Sequence, residues 1–399
     1  MAKSSSPVLF KKSILLLVIY MAFISLGLPD SLLGAAWPAM FEDLGVPVDY
    51  GGIIFMIIAA GTVVSSLLSG KILQILGYPL MITLSVSMTA LALMGFSFSG
   101  EFIYLCLLAI PLGLGAGGVD SALNTYVAIN YQAKQMNWLH SFWGVGAAIG
   151  PIIIGSYLAQ GNSWSEGYST IASIQLGLVL ILALSFPLWL KSKTNEESSE
   201  EEGSSGFFSL LRRLQGLKHA LFVFFCYCTI EASFGMWGAS FLVFVKNYEV
   251  DQAARLTSLY FFGITLGRFF SGFLTAHFTN RQLVYLGQGV IGLGLVFLLL
   301  PFSITVIPGF LLVGLGCAPI FPSLLHETPA NFGEKHAQSI MGLQMASAYV
   351  GITLMPFLFG KIAIYTGYGF LLGFLGIFLF LIIGMTKRMN AKVDSSSAN

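Results

Sequence analysis

The chain has 399 residues, of which 56% are hydrophobic and 9% charged, and its acids and bases balance to a net charge of +1; the mean hydropathy is +0.83. A soluble chain of this length needs far more charge to cover its surface, so a polytopic membrane protein is expected, and the missing basic excess argues against a nucleic-acid partner. The cysteines Cys106, Cys226, Cys228 and Cys317 all fall in apolar stretches, where a thiol is a small hydrophobe, and they lack zinc or redox spacing. No metal or other cofactor is expected.

A helix needs about 20 apolar residues to cross the hydrocarbon. By that measure the chain predicts an all-α fold of twelve spans, the first six near 13–37, 50–70, 79–99, 102–130, 138–158 and 169–190. The second six lie near 220–245, 253–276, 283–302, 306–325, 339–361 and 368–386. The expected organisation is an N-terminal six-helix bundle over 1–190, a linker over 191–218 and a C-terminal bundle over 219–399 that ends in a short tail. The linker contains NEESSEEEGSSG, too charged and serine-rich to bury anything. With both termini and the linker in the cytoplasm, only Lys246, Arg255 and Lys361 of the 19 Lys and Arg residues face outside, which sets the orientation in a plasma membrane. The first apolar stretch is long, contains Asp30 and precedes no small-residue cleavage site, so it reads as a retained helix.

Acids mark the interior of three spans. Asp30 follows Pro29 in the first, Asp120 lies in the fourth and Glu231 in the seventh, with no lysine or arginine near the middle of any span. An acid at such a depth costs about 2.5–3.5 kcal/mol on insertion scales, so three of them predict a polar path whose cation is a mobile proton. In the fourth span Gly113, Gly117, Asp120 and Asn124 share one helix face. The glycines admit a neighbouring helix closely, and the acid and amide can both bond to sugar hydroxyls. The fifth span opens with His140, Phe142 and Trp143, ahead of Gly146 and Gly150-Pro151; a histidine there is a candidate proton relay or solute contact. Tyr126, Trp143, Tyr227 and Trp237 are candidates to stack on a sugar ring, and Gln344 and Ser347 to bind hydroxyls. Glu231 shares its face with Tyr227 and Gly235. His219, His277, His326 and His336 have no metal-ligand spacing.

The halves repeat. Gly61–Gly70 (GTVVSSLLSG) matches Gly263–Gly272 (GITLGRFFSG) at an offset of 202 residues, Gly113-Leu-Gly115 matches Gly314-Leu-Gly316 at 201, and Pro151 with Gly155 matches Pro356 with Gly360 at 205. Parallel repeats of this kind place a binding site between them near the midplane.

On these features the chain resembles a major facilitator superfamily transporter over its whole length. The family's loop after the second span is degenerate here, as Gly70-Lys71 followed by Gln74 and Gly77, while the second copy keeps Arg268, Gly272 and Arg281. The resemblance implies that Gly70, Lys71, Gly77, Arg268, Gly272 and Arg281 form a cytoplasmic latch, weakened in the first half by Gln74 in the acid's place. Asp30 within GLPD, Asp120 with Asn124, Tyr227 with Glu231, and GLGCAPIFP over 314–322 are similar to the fucose:proton symporter group, which includes hexose permeases. That similarity implies proton and sugar roles for Asp30 and for Asp120, where the group has a glutamate.

The expected function is proton-coupled uptake of a small polar solute, most readily a monosaccharide, by a monomer in the bilayer, with Asp30, Asp120 and Glu231 as the proton-coupling candidates. Burial favours the neutral form of a carboxyl, so such a group can load a proton before it crosses an apolar interior. The rival is a proton-driven exporter of cationic or amphiphilic compounds, because Gly146 to Gly155 resembles the antiporter signature, with Ser156 in place of its second terminal glycine. A solute-binding receptor would carry a folded cytoplasmic domain. An enzyme is not expected, since no nucleophile–base pair, metal constellation or phosphate loop is present.

Overall fold

The structure, a computed structural model, describes residues 6–131, 133–189, 214–275 and 277–397. Among them every regular element is a helix. The first part of the chain contains α1 (Ser6–Asp30), α2 (Leu32–Asp43), α3 (Tyr50–Phe98), α4 (Phe102–Asn130), α5 (Ala133–Ala159) and α6 (Trp164–Leu184). The second contains α7 (Leu217–Lys246), α8 (Val250–Leu274), α9 (Asn280–Leu299), α10 (Val306–Cys317), α11 (Ile320–His326), α12 (Thr328–Phe332), α13 (Glu334–Thr366) and α14 (Phe370–Ser397). Of the expected linker, residues 191–213 lie outside the described residues, and α7 already starts at Leu217, before its expected end at 218.

Among the described residues, ten helical stretches are long and apolar enough to cross a membrane, where the sequence predicts twelve spans. Two features account for the difference. The 49 residues of α3 cover the expected second and third spans, and the helix breaks at Gly77, whose φ of 71° is open to glycine at little cost. Unbroken, a helix of that length would measure about 70 Å, more than twice the hydrocarbon thickness. The other is α8, which carries Asp251, Arg255 and Arg268 and is not one of the ten.

Local chemistry also explains the break between α1 and α2. Pro29 has no N–H to give the carbonyl of Ser25, and that carbonyl instead accepts the Gln175 amide at 2.7 Å. Gln175 is itself buried and accepts the Thr89 hydroxyl at 3.0 Å, so α1, α3 and α6 are pinned together where the helix opens.

The repeat in the sequence has a counterpart in the packing. A Cβ on Gly113 of α4 would meet the Ile58 carbonyl of α3, and one on Gly314 of α10 would meet the Tyr260 carbonyl of α8. Ile58 and Tyr260 are separated by the same 202 residues as Gly61 and Gly263, which face Gly113 and Gly314 in return. The two helix crossings are therefore made by matching residues.

Among the described residues, the two parts of the chain approach most closely at one end. At the end carrying residues 44–49 and 367–369, Gly34 approaches the backbone of Gly235 and Met236, a Cβ on Gly52 would lie 3.0 Å from the Phe357 Cα, and the Lys361 ammonium pairs with the Asp49 carboxylate at 2.6 Å. One apolar core runs through both parts here. At the other end Gly70, Gly77 and Gly342 each have open space where a side chain would go, and a second core belongs to the first part alone. Along the middle, α5 packs on α8 and α3 on α13.

Candidate functional site

Between the two parts lies a cavity of about 360 Å³, into which Asp30, Asp120, His140, Trp143, Glu231 and Arg268 all project. Its remaining wall is mainly apolar, with Phe55, Phe261 and Met236 among the side chains.

Close helix contact places the first acid. A Cβ on Gly27 of α1 would strike the Trp143 carbonyl, and one on Gly146 of α5 would lie 2.9 Å from the carbonyl carbon of Ile24. Only glycine lets the two backbones approach so far, and the approach brings the Trp143 indole N–H to the Asp30 carboxylate at 2.7 Å. His140, one turn earlier on α5, meets Phe23 of α1 edge-on.

The second acid is placed by the glycine face of α4. Gly113 and Gly117 lie against the Ile58 and Thr62 backbone of α3; one turn beyond them Asp120 faces the cavity and accepts the Asn124 amide at 2.9 Å. Asn124 does not itself line the cavity. Its carbonyl oxygen is buried and has no hydrogen-bond partner among the described residues.

The third acid departs from the sequence reading. Glu231 on α7 pairs with Arg268 on α8 at 3.4 Å, so it has a counter-charge where the sequence reading expected none. Arg268 also lies over the Trp143 ring, 5.1 Å from its centre. It lines the cavity and is not at a cytoplasmic loop, because α8 runs on past it to Leu274 and keeps it inside the bundle. Asp30 and Asp120 have no lysine, arginine or histidine partner among the described residues.

Several expected solute contacts lie elsewhere. Tyr126 is fully buried and packs edge-on against Tyr78 and Trp189. Tyr227 is fully buried and gives its hydroxyl to the Cys317 carbonyl at 3.0 Å. Trp237 bonds to the Pro356 carbonyl at 2.8 Å and packs on Tyr368. Gln344 accepts the Thr328 hydroxyl at 2.9 Å, and Ser347 donates to the Leu221 carbonyl at 2.7 Å, so their shared face is turned to packing. These polar tips are satisfied by backbone or by neighbours, the ordinary outcome for buried polar groups.

Of the expected latch, Lys71 is exposed and Gly70 stands clear of other elements. Gly272 lies in the last turn of α8, and Arg281 pairs with Glu327 and Asp394 at 3.5 and 2.8 Å within the second part of the chain. Sequence reasoning passed over Tyr349, Tyr260 and Thr62, which also line the cavity. No group of three or more histidine, cysteine or acidic side chains suited to a metal occurs among the described residues.

The Major Facilitator Superfamily model matches residues 19–254 and 247–396. The chain is similar to the glucose/mannose transporter GlcP of Bacillus subtilis, at 25% identity over 86% of each chain. It is also similar to sodium-dependent glucose transporter 1 of Xenopus laevis, at 23% identity over 86% of this chain and 73% of that one. A solved structure of a mutant nucleoside transporter NupG superposes with a TM-score of 0.75 and 14% identity, covering 92% of this chain and 98% of that one. The chain belongs to the major facilitator superfamily: it is a multi-pass membrane transporter and not an enzyme.

Proposed function

We propose that this major facilitator superfamily transporter carries a monosaccharide into the cell together with a proton, by alternating access around the cavity at Asp30 and Asp120. One observation carries the reading: these two carboxyls line one cavity without a basic partner among the described residues, held only by an indole N–H and an amide. A carboxyl so placed is costly to move as an anion and cheap to move when protonated. Proton loading from outside therefore favours the inward passage of the loaded site through its occluded state. The sugar assignment rests on the mixture of acceptors, donors and an indole face around the cavity, and on likeness to a relative named as a glucose/mannose transporter.

The break of α3 at Gly77 and the length of α8 support a reading of twelve spans, and the matched crossings at Gly113 and Gly314 support a duplicated six-helix plan with a linker between the halves. With both termini cytoplasmic, the closed end at Asp49 and Lys361 is extracellular and the cavity faces inward. Asp30 and Asp120 are the proton-coupling candidates, and Asp120, His140 and Trp143 contact the solute from the N-terminal half. The exporter reading is weaker, since Arg268 already neutralises Glu231 and leaves fewer free carboxylates for a cationic cargo.

The test is sugar-induced pH change in proteoliposomes holding the purified chain in sodium-free medium, across hexoses, deoxyhexoses and lipophilic cations. Glucose or mannose uptake should alkalinise the outside. Uptake only when sodium is present would replace the proton by sodium, and movement of cations with no response to any sugar would favour the exporter.

A further inference from the structure

We infer that Arg268 is a solute-contacting residue: it presents N–H donors from the C-terminal half to acceptor oxygens of the transported molecule. The inference rests on the monosaccharide reading and adds a specificity-determining residue to it.

Arg268 lines the cavity with a side chain only 20% exposed. A guanidinium has five N–H donors, yet among the described residues Arg268 makes one polar contact, to Glu231 at 3.4 Å, longer than a good charge-assisted bond. The nearby hydroxyls are directed elsewhere, Tyr227 to the Cys317 carbonyl and Tyr260 to the Glu231 carbonyl. Its remaining N–H groups are left for acceptors inside the cavity.

Two contacts fix the group in place: the Glu231 carboxylate and the Trp143 ring, 5.1 Å from the guanidinium carbon. Trp143 in turn gives its N–H to Asp30. The cavity thus offers carboxyl acceptors from α1 and α4 and a planar donor from α8. A solute that fills it carries hydroxyl hydrogens toward the first half and lone-pair oxygens toward the second. A simple counter-charge for Glu231 would need neither the cavity position nor the stack on Trp143.

The test is equilibrium binding of radiolabelled glucose to the reconstituted full chain, with counterflow as a second readout. Arg268→Lys keeps the charge beside Glu231 but loses the planar fork and the stacking; it should weaken binding about tenfold or more. The double variant Glu231→Gln/Arg268→Gln removes the ion pair without leaving an unpaired charge, and it too should bind at least about tenfold more weakly while eluting as a monodisperse protein. In the wild type, replacing one ring hydroxyl by hydrogen should lose affinity that fluorine, an acceptor without a proton, retains. That difference should vanish in Arg268→Lys. Either variant binding glucose within about twofold of wild type, a change too small for a lost charge-assisted bond, overturns the inference and leaves the sugar reading intact. A wild type that binds no monosaccharide overturns both.

Discussion

Lys361→Ala should shift the resting conformation of the transporter. Asp49 is only 2% exposed and its carboxylate meets the Lys361 ammonium at 2.6 Å, an ion pair between the two parts of the chain at the closed end. Removing one partner of a fully buried pair costs about 3–5 kcal/mol, because the other charge stays desolvated. Lys361 is 44% exposed, so water already screens the pair, and about 1.5–3 kcal/mol is the fitting range. Asp49 is hydrated once this end opens, so the cost falls on the closed state alone and the equilibrium should move about 10- to 150-fold toward opening. The assay is the spin-label distance between Gln160 and Tyr365, which lie in or beside loops of the two parts at this end. The long-distance population should rise in Lys361→Ala and fall back in Asp49→Asn/Lys361→Ala, where no charge is stranded. An unchanged distribution in the single variant would refute the reasoning.

Asp120→Ala should remove one or more charge-assisted bonds of about 1.5–3 kcal/mol each, so glucose counterflow should drop below detection while the protein still purifies as a monodisperse species. Gly146→Val should be severely destabilising, by about 3 kcal/mol or more in melting experiments, because the new side chain would collide with the Ile24 backbone; a melting temperature close to wild type would contradict that packing. Single cysteines at Lys71 and Asn162 should separate the two faces: an impermeant maleimide should label Asn162→Cys on intact cells and Lys71→Cys only after permeabilisation. The reverse pattern would invert the orientation.

Much of the site could be read from spacing along single helices. Gly113, Gly117 and Asp120 share a face by helical period, and that face meets α3 at the glycines and the cavity at the acid. The first span, expected unbroken over 13–37, opens beside Asp30 because Pro29 leaves a carbonyl free; the Gln175 amide that takes this carbonyl is 150 residues away and carries no sequence signal of its own. The same limit hid Arg268. Its partner Glu231 is 37 residues away on a different helix, and the motif around it pointed to a loop. Side-chain type alone misled at Tyr227, Trp237, Gln344 and Ser347, since an aromatic or amide tip serves packing as readily as a ligand once a backbone carbonyl is in reach. Gly77 fell in the loop between two expected spans and turns the chain in the structure, but the helical hydrogen bonding on both sides joins the two arms into one element.

The central claim is that Asp30 couples solute movement to the proton. Asp30→Asn keeps the shape of a protonated carboxyl and still accepts the Trp143 N–H, but it cannot release a proton. In proteoliposomes with an imposed inward proton gradient, the wild type should accumulate glucose above equilibrium, whereas Asp30→Asn should exchange glucose by counterflow and never concentrate it. Accumulation by Asp30→Asn against a glucose gradient would contradict the account and move the coupling proton to Asp120.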